Sequence, residues 1–194
     1  MKITDNVKNE IRFLNNKYMT EAKDKYNYWE EHVKYVVQEA LVLAEKYGAD
    51  TEIVELGAIL HDVALMAKVG TRKEHHITGA EIAGTVLAKY SYPQEKIDKV
   101  KECVVNHRSS KNGTNIENIC VADADILAHF DNIPMLFNVL LNNIWDTETS
   151  IATLPELREK MKASFEQDYN DLSEKTKEAF KDRYELIRRV VLGM

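Results

Sequence analysis

A histidine and an aspartate stand side by side in this sequence, as His61 and Asp62, at the end of an apolar stretch. The residues before them, 53–60, are apolar except for Glu55, and their pattern predicts the buried part of a helix. A carboxylate and an imidazole are costly to bury unless both have a partner. A divalent cation would satisfy both groups, since imidazole nitrogens and carboxylate oxygens are both metal ligands.

Other histidines and aspartates could converge on the same ion. They are His32, His75, His76, His107, Asp123 and Asp125. Each of them alone has an ordinary explanation. His107, for example, lies near a predicted helix C-terminus, where the helix dipole favours a protonated imidazole. His129 has no special sequence context, and we assign it a structural role.

The elements that must position these residues are predicted to be helices. Apolar residues recur at three- and four-residue spacing almost throughout, and only seven glycines and three prolines interrupt the chain. The predicted fold class is therefore all-α, a compact multi-helix bundle of roughly eight to ten helices. Adjacent residues on a helix diverge by about 100°. His61 and Asp62 can therefore converge only on something at the edge of the helix, and an ion fits that position.

Glycine, proline and capping residues predict the helix boundaries. The first clear helix has its apolar residues between 33 and 44 and ends near Gly48, and the next begins at Asp50 or Thr51. A polar connection follows over 68–74. Further helices are predicted over 77–90, 93–107 and 116–129, with a loop over 109–115, a break at Pro134 and two long amphipathic helices from Leu154 onward. Asp171 and Glu174 have the spacing of a capping box between those last two helices.

The bulk composition indicates one domain over residues 1–194 and excludes several classes of protein. Of the 194 residues, 44% are hydrophobic and 30% are charged, and the net charge of −6 is unsuited to a general DNA-binding surface. Two cysteines form neither a disulfide framework nor a CxxC zinc motif. The polar N-terminus and the lack of a long apolar run predict a cytoplasmic protein with no membrane partner.

The ligand types also restrict the cation. Imidazole and carboxylate together suit Mn, Fe, Co, Ni or Zn better than Mg or Ca alone. Apolar residues beside Asp62 and at 104–105 and 126–127 would keep such a site partly dry, which strengthens electrostatic interactions within it.

The ordered set of these residues resembles the HD-domain superfamily of metal-dependent phosphohydrolases. The similarity covers about residues 29 to 130, which would form the core, with a helical C-terminal extension at about 135–194. The segments that carry it are Ala58-Ile59-Leu60-His61-Asp62-Val63, His75-His76-Ile77-Thr78-Gly79-Ala80-Glu81-Ile82, Val104-Val105-Asn106-His107 and Asp123-Ala124-Asp125-Ile126-Leu127.

The resemblance implies a set of metal ligands and leaves two assignments open. His32, His61, Asp62 and Asp125 would hold the core metal ion. His75 and His107 match positions that hold a second ion or contact phosphate in some branches. His76 is a close rival to His75, and Asp123 offers a competing alignment to Asp125. The Gly-Tyr-Pro signature of the cyclic-di-nucleotide branch is missing after His107, where Arg108-Ser109-Ser110 stands instead.

The implied activity is hydrolysis of a phosphoester or phosphoanhydride of a nucleotide or a similar small phosphorylated molecule. Asp62 would ligate the metal and orient the attacking water, and His75 and His107 would steady negative charge or protonate the leaving oxygen. Cationic side chains near the ligand segments are candidates for phosphate contact. They are Lys68, Arg72, Lys73 and Arg108. A simple solvated loop explains Lys68, Arg72 and Lys73 about equally well.

Two other functions stay open on the sequence alone. A six-ligand set of histidines and aspartates can also hold a di-iron centre for oxygen chemistry. Alternatively, the metal could only tie helices together in a non-catalytic metal- or nucleotide-binding module. The C-terminal helices could cover the pocket or form a homodimer interface.

Overall fold

The computed structural model describes residues 2–22, 26–141, 153–190 and 193, and within these residues all regular structure is helical, which confirms the predicted all-α fold class. The α-helices described are α1 (Ile3–Ala22), α2 (Lys34–Tyr47), α3 (Thr51–Leu60), α4 (Val63–Met66), α5 (His75–Lys89), α6 (Gln94–Asn106), α7 (Ile116–Asp131), α8 (Ile133–Leu141), α9 (Leu154–Asp171) and α10 (Glu174–Val190). A π-helical turn, Trp29–Val33, continues directly into α2, and a short 3₁₀ turn occupies Ser110–Asn112.

The residues that end α2 and cap α3 are the ones that the sequence predicts. Gly48 ends α2 in the left-handed conformation, with φ of 72°, which costs a glycine little. The Asp50 side chain caps α3 by accepting hydrogen bonds from the backbone amides of Glu52 and Ile53, at 3.1 and 3.3 Å.

Three boundary predictions need correction. Pro93 is the residue before α6 and not part of its first turn. Pro134 lies inside α8, and the break comes earlier, at Asn132, whose side chain accepts a hydrogen bond from the Met135 amide at 3.2 Å. Proline is tolerated at position 134, in the first turn of α8, because the backbone N–H groups of the first turn have no partner within the helix.

The cap of α10 is Ser173 and not Asp171. The Ser173 hydroxyl accepts a hydrogen bond from the backbone amide of Thr176 at 3.3 Å, whereas Asp171 is the last residue of α9 and its carbonyl accepts from Ser110 Oγ at 2.7 Å. The serine stands directly before the helix, where its short side chain reaches the third amide of the first turn.

Helix α3 lies at the centre of the fold, in contact with α1, α2, α5, α6 and α7. Gly57 permits this crowding. A Cβ atom at Gly57 would lie 2.8 Å from Cys103 Cβ in α6 and 3.0 Å from Val121 Cγ2 in α7, distances that no side chain could accommodate without movement of the helices. The central helix thereby packs closely against α6 and α7, and its C-terminal end leads into His61 and Asp62.

The two cysteines, Cys103 and Cys120, are buried and form no disulfide. Burial raises the pKa of both thiols, that of Cys120 to about 12. Cys103 packs against Gly57 of α3, and both cysteines act as small apolar side chains.

The ends of the chain pack on this core. Helix α1, which the sequence did not single out, buries Val7 and Ile11 and contacts α3 and α4. Helices α9 and α10 contact α7, and the rings of Phe130 and Phe165 stack with their centroids 5.2 Å apart. Among the described residues, none of the helices combines the length and the apolar content that crossing a bilayer requires.

Candidate metal centre

The backbone leaves the regular helix at Asp62, and this break brings His61 and Asp62 together. Asp62 has φ of −105° and ψ of 18° and separates α3 from α4. At this break in the helix, the Asp62 carboxylate lies beside its neighbour, with Oδ2 3.6 Å from His61 Nε2. Both side chains are buried, as the apolar sequence before them predicts.

A first cluster of donor atoms surrounds Asp62 Oδ2. His32, from the π-helical turn, places Nε2 3.2 Å from His61 Nε2 and 3.9 Å from Asp62 Oδ2. Asp125, from α7, places Oδ1 2.9 Å from His32 Nε2 and 3.7 Å from His61 Nε2. Two ligands of one transition-metal ion, each about 2.1 Å from it, are about 3 to 4 Å apart. The spacing of the first cluster therefore suits one cation.

A second cluster surrounds the other oxygen of the same carboxylate. His75, the first residue of α5, and His107, which follows α6, place their Nε2 atoms 3.1 and 3.7 Å from Asp62 Oδ1. The two Nε2 atoms are 3.0 Å apart. Asp62 thus faces two clusters of donors at once, one through each oxygen.

Backbone carbonyl groups orient three of the four histidines. The Nδ1 atoms of His61, His75 and His107 lie 2.8, 2.5 and 2.6 Å from the carbonyl oxygens of the residues three positions earlier. A carbonyl can only accept, so each Nδ1 carries the proton and each Nε2 faces the centre. His32 differs, because its buried Nδ1 has no hydrogen-bond partner in the described part of the chain.

These orientations test whether the donors fit a cation. With Nδ1 protonated, the neutral rings of His75 and His107 direct Nε2 lone pairs at each other across 3.0 Å. Two lone pairs so close repel each other unless a positive charge lies between them. The second cluster therefore fits a metal ion or a shared proton, and the first, with two imidazoles and two carboxylates, fits a divalent transition metal.

The protonation states agree with metal binding. Burial alone would raise the pKa of Asp62, but the neighbouring histidines outweigh it and hold that pKa well below its ordinary value; the same balance lowers the pKa of Asp125. Burial lowers the pKa of His32, and that of His107 to about 4. Ionised carboxylates and neutral imidazoles are the forms that ligate cations.

His75 is the exception. Burial would lower its pKa, but the hydrogen bond and the charge of Asp62 outweigh burial, and the pKa is raised. A proton therefore competes with a cation at His75.

The structure separates the rival residues. Asp123 lies outside both clusters: its carboxylate accepts hydrogen bonds from the backbone amide and hydroxyl of Ser173, at 2.9 and 2.5 Å. Asp125, two residues later on α7, faces nearly the opposite side of that helix, toward the site. His76 packs its ring beside that of His75, with centroids 5.8 Å apart, but takes no part in either cluster.

The position of His129 and its partner were not predicted from the sequence. The His129 ring stacks on that of His32, with centroids 5.7 Å apart, and Nδ1 lies 3.0 Å from Asp168 Oδ2 in α9. Burial would lower the pKa of His129, but the charge of Asp168 outweighs it and raises the pKa to about 9. The overlooked signal was the four-residue spacing from Asp125 to His129, which puts both on one face of α7.

Both clusters open into one cavity of about 170 Å³. It is lined by Tyr26, Tyr28, His32, Asp62, Arg72, His75, His107, Arg108, Asp125 and His129. Of the cationic candidates, Arg72 and Arg108 line it, whereas Lys68 lines a neighbouring cavity and Lys73 lines neither. The two tyrosines, which pack edge to face at 4.7 Å, carried no signal in the sequence.

Comparisons with known proteins agree with this geometry. The family model of the HD domain matches residues 29–129, which is more than half of the chain. The fold resembles the crystal structure of a predicted HD superfamily hydrolase from an uncultured Thermotogales bacterium, with a TM-score of 0.60 and 18% sequence identity over 98% of this chain and 95% of that one.

An uncharacterized protein of Clostridium beijerinckii is 31% identical over 75 residues. The matched segment is 39% of this chain and spans about half of that relative, 48%. The HD-domain model matches the segment that contains His61 and Asp62, and the solved structure shares the helical fold. The chain belongs to the HD-domain family.

Proposed function

We propose that this protein is a phosphohydrolase that cleaves a phosphoester or phosphoanhydride bond of a small phosphorylated molecule, such as a nucleotide. The observation that carries the proposal is the position of Asp62, whose two oxygens face two donor clusters at the bottom of one arginine-lined cavity. A site with two cationic positions a few ångströms apart is suited to phosphoryl chemistry.

The residues that would hold the metal follow from the two clusters. His32, His61, Asp62 and Asp125 would hold one ion, and Asp62 with His75 and His107 would hold a second. The donor set favours Mn, Fe, Co, Ni or Zn, with Mg as a poorer match. A bound divalent cation lowers the pKa of water to near neutrality and polarises a phosphoryl oxygen.

The protein's own groups supply orientation and proton transfer. Asp62 stays ionised and can accept a hydrogen bond from the attacking water, which fixes the water in the cavity. His75 has a raised pKa and an Nε2 that its backbone hydrogen bond aims into the site. Where no second ion is bound, a protonated His75 can donate that proton to the leaving oxygen.

Two arginines would bind the phosphoryl group. Arg72 and Arg108 line the cavity on the side of His75 and His107, and Arg108 Nη1 also donates to the Lys73 carbonyl at 3.2 Å. That hydrogen bond holds the Arg108 guanidinium at the connection over 68–74. Guanidinium groups bind phosphate through paired, charge-assisted hydrogen bonds.

A metal-dependence assay tests the proposal. The purified protein is stripped with a chelator, reloaded in turn with Mn, Fe, Co, Ni, Zn and Mg, and assayed for phosphate release from an aryl phosphate and a panel of nucleotides. Turnover with at least one cation, and none in the stripped protein, is expected. No turnover with any cation and any substrate would overturn the proposal. Oxygen consumption by the iron-loaded protein without phosphate release would favour the di-iron alternative.

A further inference from the structure

The four histidines of the candidate metal centre are not all oriented in the same way. Backbone carbonyl groups accept hydrogen bonds from Nδ1 of His61, His75 and His107 and so fix those three rings. The buried Nδ1 of His32 has no hydrogen-bond partner among the described residues. Because ligand histidines are usually oriented through the nitrogen that does not bind the metal, the His32 ring must be oriented by a different contact.

The π-helical turn explains why no carbonyl orients His32. In the other three histidines, the acceptor is the carbonyl oxygen three residues earlier. For His32 that residue is Trp29, and the Trp29 carbonyl accepts the backbone N–H of Lys34, the long-range hydrogen bond of the π-helical turn. The carbonyl in the equivalent place is thus already used by the backbone.

The ring of His129 lies against the ring of His32. Their centroids are 5.7 Å apart and their planes differ by 26°, which is within the range of stacked aromatic rings. His129 follows Asp125 by four residues on α7, so both side chains are on the face of that helix that meets His32. Asp125 Oδ1 lies 2.9 Å from His32 Nε2. Helix α7 therefore contacts the His32 ring through both residues.

Asp168 in turn fixes the ring of His129. Its Oδ2 lies 3.0 Å from His129 Nδ1, and the side chains of Asp168 and His129 are only 18% and 16% exposed. Asp168 belongs to α9, in the C-terminal part of the chain, and does not line the metal cavity. A partly buried hydrogen bond to a charged group restricts the ring more than stacking alone does. The contacts thus run from α9 through His129 to His32.

The orientation of the rings indicates that His129 is not itself a ligand. His32, Asp125 and His129 each have a possible ligand atom within 4.8 Å of the others, a spacing that alone would allow a shared ion. The lone pair of a ring nitrogen lies in the plane of the ring, so stacked rings in nearly parallel planes do not direct their lone pairs at one ion. The planes of His32 and His61, by contrast, differ by 70°.

We propose that His129 and Asp168 are positioning residues of the metal centre: Asp168 fixes the His129 ring, and the stacked His129 ring holds the imidazole of His32 in the orientation that binds the ion. Helix α9 thereby contributes to metal retention without supplying a ligand. This inference rests on the metal centre of the proposed function.

Substitution of Asp168 tests the outer contact. The purified full chain is stripped with a chelator and titrated with Co²⁺ by calorimetry. Asp168→Ala should weaken the dissociation constant of the tightly bound ion about tenfold, as substitutions of residues that orient a ligand do. Asp168→Asn should stay within about threefold of the wild type, because the asparagine oxygen still accepts the hydrogen bond from His129 Nδ1.

Substitution of His129 tests the stacked ring. His129→Phe and His129→Leu are each combined with Asp168→Asn, so that no unpaired carboxylate is left beside the new apolar side chain. The phenylalanine variant keeps a flat ring against His32 and should bind Co²⁺ within about threefold of the wild type, with an unchanged visible absorption spectrum of the bound ion. The leucine variant has no flat ring and should bind about tenfold more weakly.

Phe165→Leu is the matched control for a general loss of packing. Phe165 is on α9, as Asp168 is, and it stacks on Phe130, the residue after His129. The substitution should lower the urea concentration at the midpoint of unfolding, because Phe165 is fully buried, and leave the Co²⁺ affinity unchanged. Circular dichroism shows that each variant tested is folded.

The possible results separate this inference from the proposed function. Equal Co²⁺ affinity in the phenylalanine and leucine variants, or wild-type affinity in Asp168→Ala, overturns the positioning role. Weak binding in the phenylalanine variant with an altered Co²⁺ spectrum also overturns it, since His129 would then be a ligand. If Co²⁺ binds but no substrate turns over, the proposed phosphohydrolase function fails and the binding data still decide the positioning role. If the wild-type protein binds no Co²⁺, the metal centre fails and this inference fails with it.

Discussion

The two halves of the candidate metal centre share Asp62 but are built differently. The half at Oδ2 takes donors from the π-helical turn, the end of α3 and α7, with His32 and His61 near the shared oxygen and Asp125 beside those two histidines. The half at Oδ1 has His75 and His107 beside the shared oxygen. The first half therefore offers four donors to a cation, and the second offers three.

The surroundings add to this contrast. Beside the first half, His129 stacks on His32 and is paired with Asp168. Beside the second half lie the arginines that line the cavity, and His75 has a raised pKa. Under the proposed function, the first half would retain a cation, whereas the second would bind one more weakly, in competition with a proton, on the side of the substrate.

The largest effect is expected from Asp62→Ala, which damages both halves. Loss of the shared carboxylate removes a ligand from each cluster and leaves the histidines without the negative charge that favours cation binding. We expect metal content to fall to background and the hydrolytic rate to fall by about 1,000-fold or more, because metal ions contribute several kcal/mol to such reactions. Elemental analysis and the aryl phosphate assay measure both.

Asp123→Ala is the matched control for that experiment. Its carboxylate is just as buried but binds Ser173 at the start of α10, so metal content should be unchanged while stability falls by about 1 to 3 kcal/mol. Full metal content in Asp62→Ala, with a normal helical circular dichroism spectrum, would contradict the assignment of the shared ligand.

The difference in cation binding between the two halves is tested by substituting one histidine from each half. His61→Ala should remove the tightly bound ion, whereas His107→Ala should retain that ion and lose about 10- to 100-fold in rate. Calorimetric titration of the stripped variants with Mn or Co counts the ions. Equal loss of metal in the two variants would mean that the halves do not differ as proposed.

The pair of His129 and Asp168 should stabilise the protein in a pH-dependent way. The fold raises the pKa of His129 from 6.5 to about 9, so the pair's contribution is complete below pH 6.5 and is lost as the pH rises through about 9. In chelator-treated protein, His129→Gln should lower the free energy of unfolding by on the order of 2 kcal/mol at pH 6 and by much less at pH 10. Urea denaturation across this range measures the difference, and a difference independent of pH would refute the charged pair.

The smallest effect is expected from substitution of Arg108, which lines the cavity beside the second half of the centre. Arg108→Ala removes one cationic group from the cavity wall without touching a metal ligand. KM for an aryl phosphate should rise about tenfold with little change in metal content, since a hydrogen bond to a charged group is worth about 1.5 to 3 kcal/mol. Lys111→Ala, an exposed cation paired with Asp171 outside the cavity, is the control and should leave KM unchanged.

The sequence was informative where one local rule decides the structure. The cap at Asp50 and the stop at Gly48 were predicted because each depends on one side chain and its nearest backbone groups. The same holds for the helical periodicity that identified the fold class. The resemblance to the HD-domain superfamily supplied the ligand candidates, and the structure brings His32, His61, Asp62 and Asp125 together.

Other features depend on which faces of the helices meet, and sequence reasoning could not supply that. Asp123 and Asp125 are on different sides of α7, but only the packing of α9 and α10 decides which side faces the site. The partnership of His129 with Asp168 joins residues 39 positions apart. Spacing within a single helix carries no information about such a contact.

The burial of Cys103 and Cys120 has a consequence for the choice of metal. Both thiols are held in the protonated form and away from the cavity, so the centre contains no soft sulfur ligand. Cations that depend on thiolates, such as Cu(I), gain nothing from this protein's cysteines, and selection is left to nitrogen and oxygen donors of intermediate hardness. Oxidants that attack thiolates would likewise find none among the described residues that line the cavity.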